Sequence, residues 1–349
     1  MPSLPGPVHG LWRTVTRPLD AATRPIGAGQ RYRPLYPLNA VDRLVNGTRT
    51  LEKAVRGKYI LITGASSGIG EQAARQVAAA GGTVLLVARG QEKLEELQQD
   101  LQAAGGTAHV YPCDLTDYDA IDAMTDQVLA QHGQIDVLVN NAGRSIRRSL
   151  SLSYDRFHDF ERTMQLNYFA PLRLILRVMP GMRERKSGHI VNMSSIGVQT
   201  RPPRFGAYIA SKAALDTLCD AVQGEVHDDG VRFTTIYMGL VRTPMIAPTT
   251  IYQRFPTLSP EEAGQIVADA ITYKPRRLAP PVGSFASLAD AISPMIMDQV
   301  RNQAYHLFPD SKSARGDKSV SGAKKGAESE DETSVVGRAF AQVTRGVHW

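Results

Sequence analysis

The stretch that decides the fold is Thr63-Gly64-Ala65-Ser66-Ser67-Gly68-Ile69-Gly70. It follows a short β-branched run at residues 59–63 and leads into the helix-forming sequence EQAARQVAAA at residues 71–80. A glycine-rich turn between a strand and a helix lets backbone N–H groups and the helix N-terminus approach a phosphate. Three glycines alone are weak evidence, because any tight turn favours them. Their position between strand and helix predicts a phosphate site.

Outward from this turn, short apolar runs alternate with longer helical stretches. Strands are predicted at residues 59–63, 83–88, 107–111, 135–140, 189–193 and 231–237. Helices are predicted at residues 70–80, 91–104, 118–132, 160–185, 207–227 and 260–272, with a short seventh strand at 276–279. Strict alternation predicts an α/β fold with a doubly wound parallel sheet of Rossmann type, covered by helices on both faces.

The boundaries of this predicted domain are residues 57 and 279. Residues 1–56 form a basic, Pro/Arg-rich extension, and residues 280–308 an amphipathic helical extension. That second extension is expected to pack on the core; closing a substrate groove or resting on a membrane surface are its alternatives. Residues 309–335 are predicted to be disordered and residues 336–349 to form a docking segment. The fold class is thus a single domain with N- and C-terminal extensions.

Composition and charge narrow the class of protein. The chain has 349 residues, 42% of them hydrophobic, and two separated cysteines, so neither a disulfide framework nor a metal site is predicted. No apolar run reaches about 18 residues, and a cytoplasmic location is expected. Residues 1–58 hold ten Lys/Arg against three acids, a net +7 in a chain of +6. This arm could touch anionic lipid or nucleic acid; we expect a solvated extension and no nucleic-acid partner.

The end of the second strand selects between dinucleotides. NAD sites carry an acidic residue there, which accepts hydrogen bonds from ribose hydroxyls. Here the sequence reads Leu85-Leu86-Val87-Ala88-Arg89, with an arginine and no acid. A guanidinium suits a 2′-phosphate, to which Ser66 and Ser67 can also donate. NADP(H) is therefore predicted, and an Arg89 that is merely exposed is the alternative.

Further cofactor contacts are predicted where later strands end. Asp114 can accept from an adenine amino group, and Asn140-Asn141-Ala142-Gly143 ends the fourth strand, where ligands gather in such sheets. A tight turn alone would also explain Asn141 and Gly143. The predicted cofactor residues are Gly64, Ser66, Ser67, Gly68, Ile69, Gly70, Arg89, Asp114, Leu115, Asn141, Ala142, Gly143, Tyr208, Lys212, Gly239, Val241 and Thr243.

A tyrosine and a lysine form the core of the predicted catalytic site. Tyr208 and Lys212 are four residues apart and share one helix face. A tyrosine with its usual pKa of about 10 is a poor acid, but an adjacent ammonium lowers that pKa. The pattern YxxxK is common by chance. It gains weight from Ser195 at the end of the fifth strand and from Asn167 in the preceding helix.

Together these motifs resemble the short-chain dehydrogenase/reductase superfamily. TGASSGIG (63–70), NNAG (140–143), Asn167, Ser195 and YIASK (208–212) match its order and spacing over about residues 57–275. The resemblance implies that Tyr208 is the general acid and Lys212 its modulator and ribose clamp. It also implies that Ser195 orients the carbonyl and Asn167 supports a water relay. The usual Pro-Gly pair after strand six reads Met238-Gly239 here, so the loop shape stays open, with Thr243 expected near the carboxamide.

Several stretches resemble a narrower family, the bacterial fatty acyl-CoA reductases that form fatty aldehydes. They are NNAGRSIRRS (140–149), DRFHDFERTMQLNYF (155–169), LVRTPMIAPT (240–249), PTLSPEEA (256–263) and the terminal His348-Trp349. This resemblance implies NADPH-dependent reduction of a long-chain fatty acyl-CoA to an aldehyde with release of CoA. The substrate follows from the resemblance alone.

The chemistry of an acyl thioester raises three further expectations. An acyl-enzyme route needs a cysteine nucleophile, but Cys113 and Cys219 are expected to be buried small hydrophobes. The loop at residues 240–258 is predicted to act as a lid over the acyl chain. The CoA phosphates could meet basic residues, which could equally form a solvated rim: Arg144, Arg147, Arg148, Arg201 and Arg204.

Two other functions stay open. One is NADP(H)-dependent reduction of another lipophilic carbonyl: a ketone, a 3-oxoacyl thioester or an aldehyde. The other is NADP(H) binding without catalysis, which the presence of both Tyr208 and Lys212 disfavours. The predicted helices at 160–185 and 207–227 are apolar on more than one face, which predicts a homo-oligomer. Peripheral membrane contact stays open as well.

Overall fold

The computed structural model describes residues 49–243, 245 and 257–315. The strands are β1 (Tyr59–Thr63), β2 (Thr83–Ala88), β3 (Thr107–Pro112), β4 (Val137–Asn140), β5 (Gly188–Ser195), β6 (Val231–Met238) and β7 (Arg277–Leu278). The helices are α1 (Leu51–Val55), α2 (Gly68–Ala79), α3 (Gln91–Ala103), α4 (Tyr118–His132), α5 (Phe157–Met164), α6 (Ala170–Glu184), α7 (Ile196–Thr200), α8 (Gly206–Glu225), α9 (Pro260–Tyr273), α10 (Pro281–Ile292), α11 (Pro294–Leu307) and α12 (Lys312–Arg315). A 3₁₀ turn spans Leu150–Leu152.

The seven strands form one parallel sheet in the order β3-β2-β1-β4-β5-β6-β7, which confirms the predicted fold class. The strand order reverses between β1 and β4. In sheets of this kind, ligands bind outside the carboxyl ends of the strands at such a reversal. The carboxyl ends of β1, β4 and β5 carry Thr63, Asn140 and Ser195, so the predicted motifs meet at one edge of the sheet.

Two apolar layers hold helices on the two faces of the sheet. Successive strand residues point to opposite faces, so Ile60 and Ile62 join one layer while Leu61 joins the other. Helices α2, α3 and α9 cover the first layer, and α4, α6 and α8 cover the second. Phe233 of β6, which is 1% exposed, is among the largest side chains buried in the second layer.

Two predicted helices are divided in the structure. The helix expected at 160–185 is α5 and α6 joined by a π-helical turn, Gln165–Phe169. The expected extension at 280–308 is α10 and α11, which meet at Ser293, whose backbone is not helical (φ −145°, ψ 80°). Pro294 explains this second break, because a residue before proline is disfavoured in the helical region.

Several of the predicted segments lie wholly or partly outside the residues that the structure describes. Most of the N-terminal extension, most of the predicted lid at 240–258 and the docking segment at 336–349 lie outside the described residues. The stretch predicted to be disordered, 309–335, begins with packed residues, since Asp310 accepts from the Ser149 amide and pairs with Arg204; its remainder from 316 lies outside the description. Within the described ranges, no helix has both the length and the apolar character needed to cross a membrane.

Candidate active site

The glycine-rich turn is shaped so that only glycine fits at several positions. Gly64 and Gly68 have left-handed backbones, with φ of +67° and +59°. A Cβ at Gly70 would lie 2.4 Å from the Gly64 carbonyl oxygen and 2.6 Å from Asn141 Nδ2. The Asn141 amide donates to the Thr63 carbonyl at 2.9 Å, which ties the turn after β4 to the turn after β1. A side chain at Gly70 would collide with these protein atoms, so glycine lets the two turns pack this closely.

The first turn of α2 faces the same space. Ser67 is its N-cap residue, but the Ser67 side chain makes no capping hydrogen bond. A helix N-terminus with uncapped N–H groups favours an anion. Thr243 lies over the turn, since its methyl carbon is 3.0 Å from where a Gly68 Cβ would stand. The loop that carries Thr243 is closed at its base by a bridge between Val241 and Leu258. These features fit a bound pyrophosphate.

The ends of β2 and β3 carry charges suited to the far end of a dinucleotide. Arg89 follows β2 and is exposed, and Asp114 follows β3. Hydrogen bonds from the Thr116 amide (2.9 Å) and hydroxyl (2.8 Å) lower the pKa of Asp114, and the charges of Arg89 and Arg144 add to this effect. Leu115 is buried beside them. Asp114 is therefore an ionised acceptor at the sheet edge.

Tyr208 and Ser195 are brought together from α8 and the end of β5. Burial raises the pKa of the Tyr208 phenol, and a hydrogen bond with the Ser195 side chain acts in the opposite direction. Ser195 Oγ also accepts a 3.0 Å hydrogen bond from the Gly197 amide at the start of α7, which fixes the hydroxyl. The two hydroxyl groups can therefore bind one oxygen atom of a ligand.

Lys212 lies one helical turn beyond Tyr208 and is 5% exposed. Its ammonium donates to the Met193 carbonyl oxygen at 2.7 Å. Burial lowers the pKa of Lys212 to about 8, against an opposing effect of Asp216. A Cβ at Gly143 would lie 3.3 Å from Lys212 Nζ, so the glycine admits the ammonium to the turn after β4. Lys212 thus joins the glycine-rich edge to the Tyr208 site.

Asn167 lies in the π-helical turn and is fully buried. Its Oδ1 accepts from the Arg144 amide at 2.8 Å, and its Nδ2 donates to the Arg144 carbonyl (2.8 Å) and to Ser211 Oγ (2.9 Å). These bonds join three segments of the site, and π turns occur often at functional positions. The side-chain amide of Asn167 therefore fixes these segments relative to one another.

A buried carboxylate lies behind Lys212 and was missed by the sequence analysis. Asp216, one turn farther along α8, is 6% exposed, and its Oδ2 accepts from Ser194 Oγ at 2.9 Å. Within the described part of the chain, its Oδ1 has no hydrogen-bond partner. Burial raises the pKa of Asp216 to about 6. The sequence did offer one signal for Asp216, its spacing: it lies eight residues beyond Tyr208 and four beyond Lys212, so all three share one helix face.

Most arginines considered for CoA phosphates are occupied by protein partners. Arg148 pairs with the buried Asp159, Arg201 with Asp290 and Arg204 with Asp310. Arg147 donates to the Phe308 and Pro309 carbonyls at 2.9 and 2.8 Å. These protein contacts compete with a CoA phosphate, but the Arg201 side chain is still 59% exposed, so phosphate binding and a solvated rim both stay predictions for these residues. Arg144 is half-buried, and its backbone is held by Asn167.

The two cysteines are buried, as expected. Burial raises the pKa of Cys113 to about 11 and that of Cys219 to about 12, so neither thiol ionises readily. Cys219 also accepts a hydrogen bond from Asn192 at 3.1 Å. Among the residues that the structure describes, no three His, Cys, Asp or Glu side chains are grouped to hold a metal ion.

Comparison with known proteins identifies the family. A family model described as short chain dehydrogenase matches residues 58–252, more than half of the chain. This range contains the glycine-rich turn, Asn167, Ser195, Tyr208 and Lys212. The chain belongs to the short chain dehydrogenase family.

Relatives extend beyond that range. An uncharacterized oxidoreductase of Mycobacterium tuberculosis (strain H37Rv) is 57% identical over 97% of this chain and 98% of its own length. A fatty acyl-CoA reductase of Acinetobacter baylyi is 50% identical over 84% of this chain and 96% of its own length. A second fatty acyl-CoA reductase, from M. tuberculosis, is 44% identical over 80% of this chain and 94% of its own length. The chain is thus an oxidoreductase with fatty acyl-CoA reductases among its relatives.

Solved structures support the same fold. A metagenomic short-chain oxidoreductase in complex with NADP is 33% identical, with a TM-score of 0.54 over 63% of this chain and 92% of that one. A short-chain dehydrogenase from Streptomyces avermitilis is 32% identical, with a TM-score of 0.59 over 70% of this chain and 97% of that one.

Proposed function

We propose that this oxidoreductase uses NADPH to reduce a long-chain fatty acyl-CoA to the fatty aldehyde and free CoA. The observation that carries the proposal is the 50% identity to a fatty acyl-CoA reductase over 96% of that enzyme's length. Two features of the site support it, because they suit proton donation to a carbonyl oxygen: the hydrogen bond between Ser195 and Tyr208, and the burial of Lys212 one helical turn beyond Tyr208.

NADPH is the proposed cofactor because the residues at the sheet edge fit its phosphates. The left-handed glycines and the uncapped start of α2 suit the pyrophosphate. Arg89 is exposed where a 2′-phosphate would lie, and the chain has no acidic residue there. A solved relative holds NADP. Asp114, Asn141 and Thr243 are proposed as further contacts.

The proposed chemistry converts a thioester to an aldehyde by two-electron reduction. The nicotinamide, when bound, supplies the hydride that adds to the thioester carbon. Tyr208 donates its phenolic proton to the carbonyl oxygen, while Ser195 holds that oxygen in place. The product of these two transfers is a hemithioacetal. When its hydroxyl loses a proton and its C–S bond breaks, the aldehyde forms, and the CoA sulfur leaves as a thiolate that takes up the proton.

The other site residues prepare the phenol for this step. The Lys212 ammonium favours the phenolate left after proton donation, and it can hold the ribose hydroxyls. Asn167 fixes Arg144 and Ser211 around the site, and its main chain can hold a water that returns a proton. An acyl-enzyme route is disfavoured, since both thiols are buried and their pKa values are raised.

A direct assay tests the proposal. Purified full-length chain is incubated with NADPH and palmitoyl-CoA, and free thiol and aldehyde are measured together. Equal amounts of thiol and aldehyde, matched to NADPH consumed, are expected. Brisk reduction of a ketone or an aldehyde without thiol release would overturn the acyl-CoA proposal and favour a reductase of another lipophilic carbonyl.

Replacing Arg89 is expected to weaken the binding of NADPH but not that of NADH. Hydrogen bonds to a charged group contribute about 1.5–3 kcal/mol, so Arg89→Ala should raise the KM for NADPH about 10–100-fold. The KM for NADH, which lacks the 2′-phosphate, should change little. Steady-state kinetics with both cofactors measure the difference. Arg183→Ala, which removes an arginine paired with Asp229, is the control. An equal change for both cofactors would contradict the assignment.

Removing the charge of Asp216 is expected to move the pH dependence of reduction. Lys212, with a pKa of about 8, loses its proton as pH rises, so turnover should fall on the alkaline side. The Asp216 carboxylate raises the pKa of both Lys212 and Tyr208. In Asp216→Asn both pKa values fall, and the alkaline limb should shift to lower pH by about half a unit or more.

The control for this shift is Glu225→Gln, which removes a charge from the exposed end of the same helix. Profiles of kcat against pH for the two variants and the wild type are compared. A limb that moves equally in both variants, or moves to higher pH in Asp216→Asn, would refute the positioning role of Asp216.

A further inference from the structure

Helices α10 and α11 expose a continuous apolar face. Three large apolar side chains lie at helical spacing on α10, and three more lie on the first half of α11, each more than half exposed: Phe285 (70%), Leu288 (59%), Ile292 (75%), Met295 (76%), Ile296 (61%) and Val300 (52%). An apolar patch of this kind on a soluble domain marks a surface that binds something. We call it the α10–α11 face.

The opposite side of these helices is anchored by charge. Between residues 281 and 297 the chain has one charged residue, Asp290, and it is buried. Its carboxylate pairs with Arg301 and Arg201, which lower its pKa. Turning the apolar face inward would break these pairs and leave charged groups without partners. The α10–α11 face is therefore held toward the outside.

The two helices also pack on the chain that joins Ser195 to Tyr208. Gly283 of α10 lies against α7, where a Cβ would be 2.2 Å from Gln199 Oε1. In α11, the Tyr305 carbonyl accepts from the Arg204 guanidinium at 2.9 Å, and the guanidinium also stacks 3.9 Å from the Tyr305 ring centre. These contacts connect the α10–α11 face to the segment that flanks the candidate active site.

We propose that the α10–α11 face docks on the surface of a lipid bilayer, with its apolar side chains among the acyl chains. A bilayer suits residues 281–297, where Asp290 is the one charged group and is buried. The polar side chains exposed farther along α11, among them Asp298 and Gln299, would lie at the level of the lipid headgroups. Helices that lie in the membrane interface bury an apolar face in this way, without spanning it. If the proposed function holds, docking brings the active site to the place where long acyl chains partition.

Binding to uncharged vesicles tests the proposal without any measurement of catalysis. The full-length protein is sedimented with sucrose-loaded phosphatidylcholine vesicles at low salt and at about 0.5 M NaCl. Binding through the apolar face should occur and should persist at high salt. Attachment through the basic N-terminal arm would need anionic lipid and would weaken with salt. Absence of binding to phosphatidylcholine, or its loss at high salt, overturns the proposal.

Matched triple variants locate the contact. Phe285→Gln, Ile292→Gln and Ile296→Gln combined should weaken vesicle binding at least about tenfold. The control combines Leu150→Gln, Tyr154→Gln and Phe157→Gln, three apolar residues that are equally exposed outside this face (68%, 82% and 71%). Equal binding by the first variant and the wild type overturns the proposal. So does light scattering, without lipid, that shows a dimer which this variant alone converts to a monomer.

The two proposals fail in different ways. If the chain does not reduce acyl-CoA, vesicle binding is unaffected, since it needs no turnover. If the face does not bind lipid, reduction of a water-soluble octanoyl-CoA should still proceed. The first triple variant should keep the wild-type kcat/KM for octanoyl-CoA without lipid, which also shows that it is folded.

Discussion

Tyr208→Phe is expected to lower kcat for acyl-CoA reduction by about 10²–10⁴-fold, the contribution typical of a positioned general acid. The substitution removes one hydroxyl and keeps the ring, so α8 and its contacts with β5 should be preserved. Ser195 alone cannot supply the proton efficiently, because an aliphatic hydroxyl is a much weaker acid than a phenol. Single-turnover oxidation of NADPH, followed by absorbance, measures the chemical step.

Two further measurements make this result specific. The dissociation constant for NADPH, from fluorescence titration, should change little in Tyr208→Phe, since the proposed phosphate contacts lie at the glycine-rich turn. The control is Tyr59→Phe, at the amino end of β1 and therefore at the edge of the sheet opposite the site. It should turn over like the wild type. Retained turnover in Tyr208→Phe would refute its role as the acid.

Lys212→Met is expected to lower kcat by about 10²-fold or more. The variant keeps the length of the side chain and removes the ammonium. An adjacent positive charge lowers the pKa of an acid by about 1–3 units, and each unit corresponds to about 1.4 kcal/mol. Without that charge, the Tyr208 pKa rises further above the working range. Steady-state reduction at pH 7 measures the loss.

Cofactor affinity separates Lys212 from Tyr208. If Lys212 also holds the ribose, Lys212→Met should bind NADPH more weakly, whereas Tyr208→Phe should not. The Met193 carbonyl oxygen loses its donor in this variant, so a small decrease in Tm is expected from one broken buried hydrogen bond. Lys186→Met, an exposed lysine paired with Asp229, is the control. Wild-type kcat in Lys212→Met would exclude the proposed electrostatic role.

The strands were predicted closely because their signal is local. Four of them, β1, β2, β3 and β6, match the expected ranges to within one residue, since buried parallel strands are short apolar runs bounded by turn residues. The predicted helix at 160–185 hid a π turn. In that turn Asn167 makes hydrogen bonds with Arg144 and Ser211, which lie in distant segments. The helical periodicity of one segment cannot predict contacts with distant segments.

The site was predicted to the extent that its residues lie in motifs. Ser195, Tyr208 and Lys212 do, and the structure brings them together. Asp216 belongs to no motif, and only its burial beside Ser194 distinguishes it from an exposed helical aspartate. The arginines show the converse, because their charge is visible in the sequence and their protein partners are not.

The sequence alone sufficed for the α/β architecture, the phosphate turn and the phenol–ammonium pair, because each depends on spacing along a single strand, turn or helix. Tertiary structure decided which charges are free and which surface is exposed. Arg201 and Arg301 both pair with one buried aspartate, Asp290, which is 89 residues away from Arg201 along the chain. That pairing turns the apolar side of α10 outward. Electrostatic partners of this kind depend on distances through space, which the order of residues does not contain.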